Sequence, residues 1–169
     1  MKISFQEFAS RCSNLLKADP GPVGRRQVRD LLSEVLQDQA FVDAVVPERT
    51  TDRELRYEDP DLKFCIFAEH KFGAKTGEPH DHGPSWAIYG QAAGATQMSE
   101  WEIVEPATGT GSGKVRLLKR YTMTPGSAFV YDEGVLHSPS RTAPTRLIRF
   151  EGMNLESLRG ARPKYEIIP

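Results

Sequence analysis

Apolar residues follow two different rhythms along the chain, helical up to residue 46 and strand-like after residue 50. Phe5, Phe8, Leu15 and Leu16 recur at helix-like spacing. Ser4 stands as their N-cap, with Glu7 three residues on as the partner of a capping box. The run ADPGPVG (18–24) breaks this helix with two prolines and two glycines. Val28, Leu31, Leu32, Val35 and Leu36 then fall at i, i+3, i+4, i+7 and i+8, the stripe of an amphipathic helix. Phe41 to Val46 predicts a last short turn, stopped by Pro47.

Beyond residue 50, short β-prone runs alternate with Gly/Pro punctuation. They are RELRY (53–57), LKFCIFAEH (62–70), SWAIYG (85–90), TQMSEWEIVE (96–105), KVRLLKRYTMT (114–124), SAFVYD (127–132), TRLIRFEG (145–152) and YEII (165–168). Regular short strands with no helical pattern between them predict an all-β sandwich or barrel and argue against a parallel βαβ sheet. ATGTGSG (107–113) reads as a hairpin loop, and the stretch from Pro163 onward as a tail. The predicted organisation is a helical segment over 1–48 packing on a barrel over 49–169.

Composition narrows the function. A chain of 169 residues suits one domain. Twenty-two Lys+Arg against 23 Asp+Glu leave a net charge of −1, which argues against nucleic-acid binding and a polybasic membrane anchor. Cys12 and Cys65 make neither a disulfide scaffold nor a Cys-rich zinc site. The opening MKISFQEFASRC lacks a signal peptide's apolar run, and no stretch approaches 18 apolar residues, so a cytoplasmic location is expected. The glycines of ATGTGSG lack the Lys-Ser/Thr and following helix of a phosphate loop.

The histidines carry the chemistry. His80 and His82 sit in PHDHG, and in an extended chain their rings share one face while Asp81 points away. His137 follows 55 residues after His82, beyond a β-prone run and a Gly turn. In these residues the chain resembles the cupin superfamily. The first cupin motif, Gly-x5-His-x-His-x(3–4)-Glu-x6-Gly, is met by Gly73 with one extra residue before His80, then His82, Ala87 at the Glu position, and Gly94. The second, Gly-x5-Pro-x-Gly-x2-His-x3-Asn, is met by Gly126, Asp132 in place of Pro, Gly134, His137, and Arg141 in place of Asn. The resemblance covers roughly residues 50–155 and implies a double-stranded β-helix, the cupin jelly roll, with a divalent metal on His80, His82 and His137. Imidazole ligands alone do not choose among Fe, Ni, Zn and other divalent ions. The missing carboxylate ligand leaves a three-His site with open positions.

Among cupins the chain is most similar to the cysteine dioxygenase type of thiol dioxygenase. N-terminal helices precede the barrel, LKFCIFAEH leads into the His pair, and HDHGPSWAIYGQAAG resembles the bacterial His-Asp-His-Gly-x-Ser-Trp run. RFEGMNL is similar to the family's Tyr-Gly-x-Asp-Leu ending. The resemblance implies Fe(II), with Ni, Zn or Mn as alternatives, O₂ as co-substrate, and an early-strand arginine holding a substrate carboxylate, here Arg56. The family's Ser-x-His-x-Tyr triad is replaced by Leu147, Arg149 and Glu151, and its crosslinking Cys by Ala87. These departures point to a different thiol or small acid rather than cysteine itself. Arg149 and Glu151 are then the catalytic candidates, a fixed cation with a carboxylate to neutralise it at rest. Alternation leaves open whether Arg149 or its neighbours Ile148 and Phe150 face inward.

Trp86 shares the face of His80 and His82 if the strand is regular, as a wall of the substrate pocket or as core. Tyr89 takes the opposite face and reads as structural. Arg141 and Arg146 read as surface, Cys65 as a buried hydrophobe, and His70 as a turn residue. The function this supports is a three-His Fe(II) dioxygenase oxidising a small anionic thiol or organic acid. The alternatives are a cupin lyase or isomerase, a C–C-cleaving dioxygenase, and a non-catalytic metal or ligand sensor. Oligomeric state is not legible.

Overall fold

The computed structural model describes residues 2–108, 111–158 and 163–169. Three helices come first. In α1 (Phe5–Ala18) the Ser4 hydroxyl accepts from the Glu7 amide at 3.1 Å, the expected cap. α2 (Pro22–Val35) starts inside the Pro/Gly run rather than after it. Pro22 occupies the first turn, where its missing N–H is no loss. Gly24 allows the tight α1–α2 corner, because a Cβ there would stand 1.8 Å from the Asp19 carbonyl oxygen. α3 (Gln39–Val45) is capped by the Asp38 carboxylate on the Ala40 amide at 3.0 Å.

Ten strands follow: β1 (Glu54–Glu58), β2 (Cys65–Lys71), β3 (Lys75–Thr76), β4 (Ala87–Ala93), β5 (Thr96–Glu105), β6 (Gly113–Met123), β7 (Ala128–Tyr131), β8 (His137–Arg141), β9 (Thr145–Glu151) and β10 (Tyr165–Ile168). One sheet has the order β1-β2-β9-β4-β7, the other β10-β6-β5-β8-β3. From β2 onward each successive strand crosses to the other sheet, except that β5 and β6 stay in one. Every pairing is antiparallel except β10 on β6, and the architecture is a double-stranded β-helix with helices at its N-terminal end. The chain after Pro163 is therefore not a simple tail: Tyr165–Ile168 adds a parallel edge strand. The loop expected over 107–113 joins β5 and β6, and its residues 109–110 lie outside the described residues. No described helix is long and apolar enough to cross a membrane.

Alternation divides the first sheet. On its outer face Ile66, Ala68, Ile88, Ile148 and Phe150 pack with Phe8, Val28, Leu32 and Phe41 of the helices. Gly90 permits close contact there, since a Cβ would meet Leu32 and Leu36 at 2.7–2.8 Å. On the inner face a smaller cluster holds Ala87, Tyr89, Met98, Met123, Tyr131 and Leu147. Most of the apolar core thus lies between helices and sheet, and the barrel lumen combines a smaller apolar cluster with charged and polar side chains.

Candidate metal centre

His80 and His137 are directly paired in an antiparallel bridge. Their backbones exchange both hydrogen bonds, His80 N to His137 O at 3.0 Å and His137 N to His80 O at 2.9 Å. His137 opens β8 and is fully buried; His82 lies in the loop after His80 and is 5% exposed. The ring centroids are 4.8 Å apart for His80–His137 and His82–His137, and 5.9 Å for His80–His82. Candidate ligand atoms of all three lie within 4.8 Å of one another.

Hydrogen bonds set the tautomers. A carbonyl only accepts, so His80 Nδ1 donates to Glu78 O at 2.8 Å and His137 Nδ1 donates to Val135 O at 2.9 Å. In the neutral ring this leaves Nε2 with its lone pair, the state in which a ligating imidazole is oriented by its other nitrogen. At His82, Nε2 is 2.9 Å from the Tyr89 hydroxyl and 3.4 Å from Arg149 Nη2. The arginine only donates, so this Nε2 is an acceptor as well. Three convergent imidazoles with no carboxylate in the cluster, among the described residues, fit a divalent ion of the Fe, Ni, Zn or Cu kind.

A cavity of about 260 Å³ reaches this centre at His80 and is lined further by Tyr89, Met98, Leu147 and Arg149 and by Lys71, Lys75 and Arg141. Burial pushes the Tyr89 hydroxyl up to about 12, so at neutral pH it is a protonated donor. Tyr131 stacks on His137 at 4.2 Å, and its hydroxyl lies 2.8 Å from that of Tyr121, which donates to Glu100.

Arg149 and Glu151 both point into the lumen, while Ile148 and Phe150 pack under the helices. Arg149 Nη2 is 2.5 Å from Glu151, and its Nη1 is 3.6 Å from Glu69. Its guanidinium lies 4.9 Å over the Tyr89 ring. Burial opposes this cation, but Tyr89, Glu69 and Glu151 outweigh it and raise its pKa above the ordinary arginine value. Arg53 completes the network, 2.8 Å from Glu151, 3.2 Å from Glu69, and 3.7 Å over the Phe67 ring.

Two other expected residues are placed elsewhere. Arg56 donates to Ala44 O at 3.2 Å, on the α3 side, and the early arginine that meets the charge network is Arg53. Trp86 packs outward over Gly152, its ring 5.5 Å from the Arg25 guanidinium. The reason is a turn. Ser85 N bonds His82 O and Gly83 has φ +58°, so the face count from His82 does not carry through to Trp86. The same turn brings Tyr89 inward, against the sequence reading. Ala87 aligned with a ligand position, so the residue two further along the strand had to share its face; that signal locates Tyr89. Arg141, read as surface, lines the cavity. His70 Nδ1 donates to Glu48 O at 3.0 Å, and the ring stacks on Phe72 away from the centre.

The fold and site together define a small double-stranded β-helix with a three-histidine centre. No protein-family model matches the chain, and none of the curated proteins does. Solved structures similar to it include KdgF from Halomonas sp., with 17% identity over 63% of this chain and 82% of that one, at a TM-score of 0.47. They also include a cupin-2 domain protein from Shewanella frigidimarina, with 13% identity over 58% and 76% of the two chains and a TM-score of 0.42. The cupin domain of Schizosaccharomyces pombe Cnp3 has 8% identity over 66% and 69%, and a TM-score of 0.48.

Proposed function

We propose that this chain is a three-histidine Fe(II) dioxygenase that oxidises a small anionic thiol or organic acid with O₂. One observation carries the reading: three imidazoles converge, with no carboxylate among them, and one of them, His80, lines a cavity of about 260 Å³. Iron in such a site supplies Lewis acidity and one-electron chemistry with open positions for substrate and O₂.

The chain's own residues supply the rest. His80 and His137 are held by the Glu78 and Val135 carbonyls, so their orientation is set before any ion arrives. Arg149 offers a permanent cation beside His82, where it stabilises negative charge developing in the cavity. Glu151 neutralises it at rest and keeps it aimed. Tyr89 holds a proton at its Oη, 2.9 Å from His82 Nε2. Met98 and Leu147 exclude water from the inner wall.

The test is anaerobic loading with Fe(II), metal analysis, then an oxygen-electrode screen of small thiols and carboxylic acids. About one ion per chain is expected, lost on His137→Ala, with O₂ consumed in step with substrate. Turnover without O₂ would mark a lyase or isomerase, and binding without turnover a sensor. Full metal content in His137→Ala would overturn the assignment of the centre.

A further inference from the structure

We infer that the cavity mouth is a second anion-binding subsite, formed by Lys75 and Arg141, and that it selects a small dicarboxylic acid. The inference rests on the metal-centred reading above and names the substrate class for it.

Charge balance is the starting point. Four cations line the cavity, Lys71, Lys75, Arg141 and Arg149, against two carboxylates, Asp52 and Glu69. The carboxylates are already engaged. Lys71 Nζ is 3.1 Å from Asp52 and 3.4 Å from Glu69, and Glu69 is shared with Arg53 and Arg149. Arg149 is held by Glu151 as well. The inner wall is therefore compensated, and the surplus positive charge resides on Lys75 and Arg141. Among the described residues neither has a carboxylate within ion-pair distance.

Strand register makes this pair unusual. Lys75 in β3 and Arg141 in β8 are directly opposite each other in an antiparallel ladder. Like charges at directly opposed positions repel and destabilise a sheet. An anion between them removes that repulsion and gains two charge-assisted hydrogen bonds. Arg141 is pre-aimed: its Nε donates to Gly73 O at 3.1 Å, which leaves both terminal nitrogens for a ligand.

The pair also shares a face with the centre. His137, Pro139 and Arg141 alternate along β8, and both Pro139 and Arg141 line the cavity that reaches His80. At ~3.3 Å per residue, His137 and Arg141 stand about 13 Å apart between Cα atoms, a gap that the arginine's own length shortens. A short diacid spans it, with one anionic group toward the three histidines and the other on Lys75 and Arg141. A monoacid leaves one end unserved.

The experiment titrates succinate, glutarate and butyrate into the full-length metal-loaded chain by calorimetry, for the parent, Lys75→Gln, Arg141→Gln and the double variant. In the parent a diacid is expected to bind at least tenfold tighter than butyrate. Each substitution should cost roughly tenfold in diacid affinity, and the double variant should lose the preference with its metal content unchanged. Equal affinity for mono- and diacids in the parent, or a preference that survives the double substitution, would overturn the subsite. Failure of the metal reading shows separately, as a parent chain that takes up no ion. On that chain sulfate is the probe: binding lost in the double variant supports the mouth pair, and binding retained overturns it. Lys75 is exposed, so its single variant keeps the test interpretable should Arg141→Gln fold poorly.

Discussion

Replacing Arg149 by leucine leaves two carboxylates, Glu151 at 1% and Glu69 at 3% exposure, with one fewer cation. Breaking a buried pair by removing one partner costs ~3–5 kcal/mol, because the remaining charge stays desolvated. The lower end applies here, about 3 kcal/mol, since Arg53 still reaches both carboxylates. In a domain of this size that is a fall in Tm of ~6–12 °C. The diagnostic step is the second substitution. Arg149→Leu with Glu151→Leu removes both charges and places two aliphatic chains beside Ala87, Tyr89 and Leu147. Replacing a buried pair by apolar residues is often close to neutral, so the double variant is expected to recover most of the loss, to within ~1 kcal/mol of the parent. Urea denaturation of the metal-free chains measures both, with equal m-values required for the comparison. Metal uptake should survive in each, because the three histidines remain. An Arg149→Leu chain as stable as the parent, or a double variant whose losses simply add, would refute the paired, buried arrangement.

Two further outcomes follow from the same geometry. Phe150 is fully buried and packs on Phe8 and Phe64 with ring centroids 5.9 and 6.1 Å away, so Phe150→Ala should destabilise the fold by ~3–5 kcal/mol in urea titrations while metal content per folded chain stays constant. Arg25 of α2 holds Glu133 through two hydrogen bonds of 2.6 and 2.7 Å and Asp132 through one of 2.7 Å, just before the turn into His137. Arg25→Gln should cost about 1–2 kcal/mol. Its pH signature is specific. The bond to Arg25 holds the Glu133 carboxyl below its ordinary value, so its stabilisation is present above the unfolded carboxylate pKa and lost as pH falls through the depressed one. A Tm series from pH 7 to pH 3 should therefore converge for parent and variant at the acid end; a constant gap would exclude this linkage.

The helices and most strands were legible because each obeys one period throughout. Ser4 caps α1 through the Glu7 amide as the spacing predicts, while the Glu7 carboxylate accepts from Arg11, and the stripe from Val28 to Leu36 faces the sheet. The strands that escaped notice are those whose inward residues are functional. β8 reads HSPSR, with His137, Pro139 and Arg141 inward, and shows no apolar alternation at all. β10 was visible as YEII, yet its pairing on β6 is a long-range contact that local pattern does not encode. At the centre, which three histidines converge followed from spacing, whereas side-chain facing did not. A single turn at Gly83–Ser85 shifted the parity of everything after it, exchanging Trp86 for Tyr89. Arg56 and Arg53 differ by three positions, and where β1 begins decides which one meets the network; its bulge between Leu55 and Tyr57 shows how irregular that strand is.

The division of labour between the two faces of the first sheet explains how the lumen tolerates so much charge. A barrel that stabilised itself through its interior would need apolar side chains there, and Arg149, Glu151, Glu69 and Lys71 on that face would each subtract from it. Here the apolar burial is moved outside. Phe8, Val28, Leu32 and Phe41 cover Ile66, Ile88, Ile148 and Phe150, and fully burying each such side chain contributes ~1.5–3 kcal/mol. β9 shows the consequence within one strand: its even residues hold the helices while its odd residues form the charged wall beside His82. Substitutions on the two sides should therefore separate cleanly, those at 148 and 150 acting on stability and those at 149 and 151 acting on charge in the cavity. The N-terminal helices are then part of what makes the site affordable, since without their cover the outer face would be exposed and the inner face would have only its smaller apolar cluster to offset its ions.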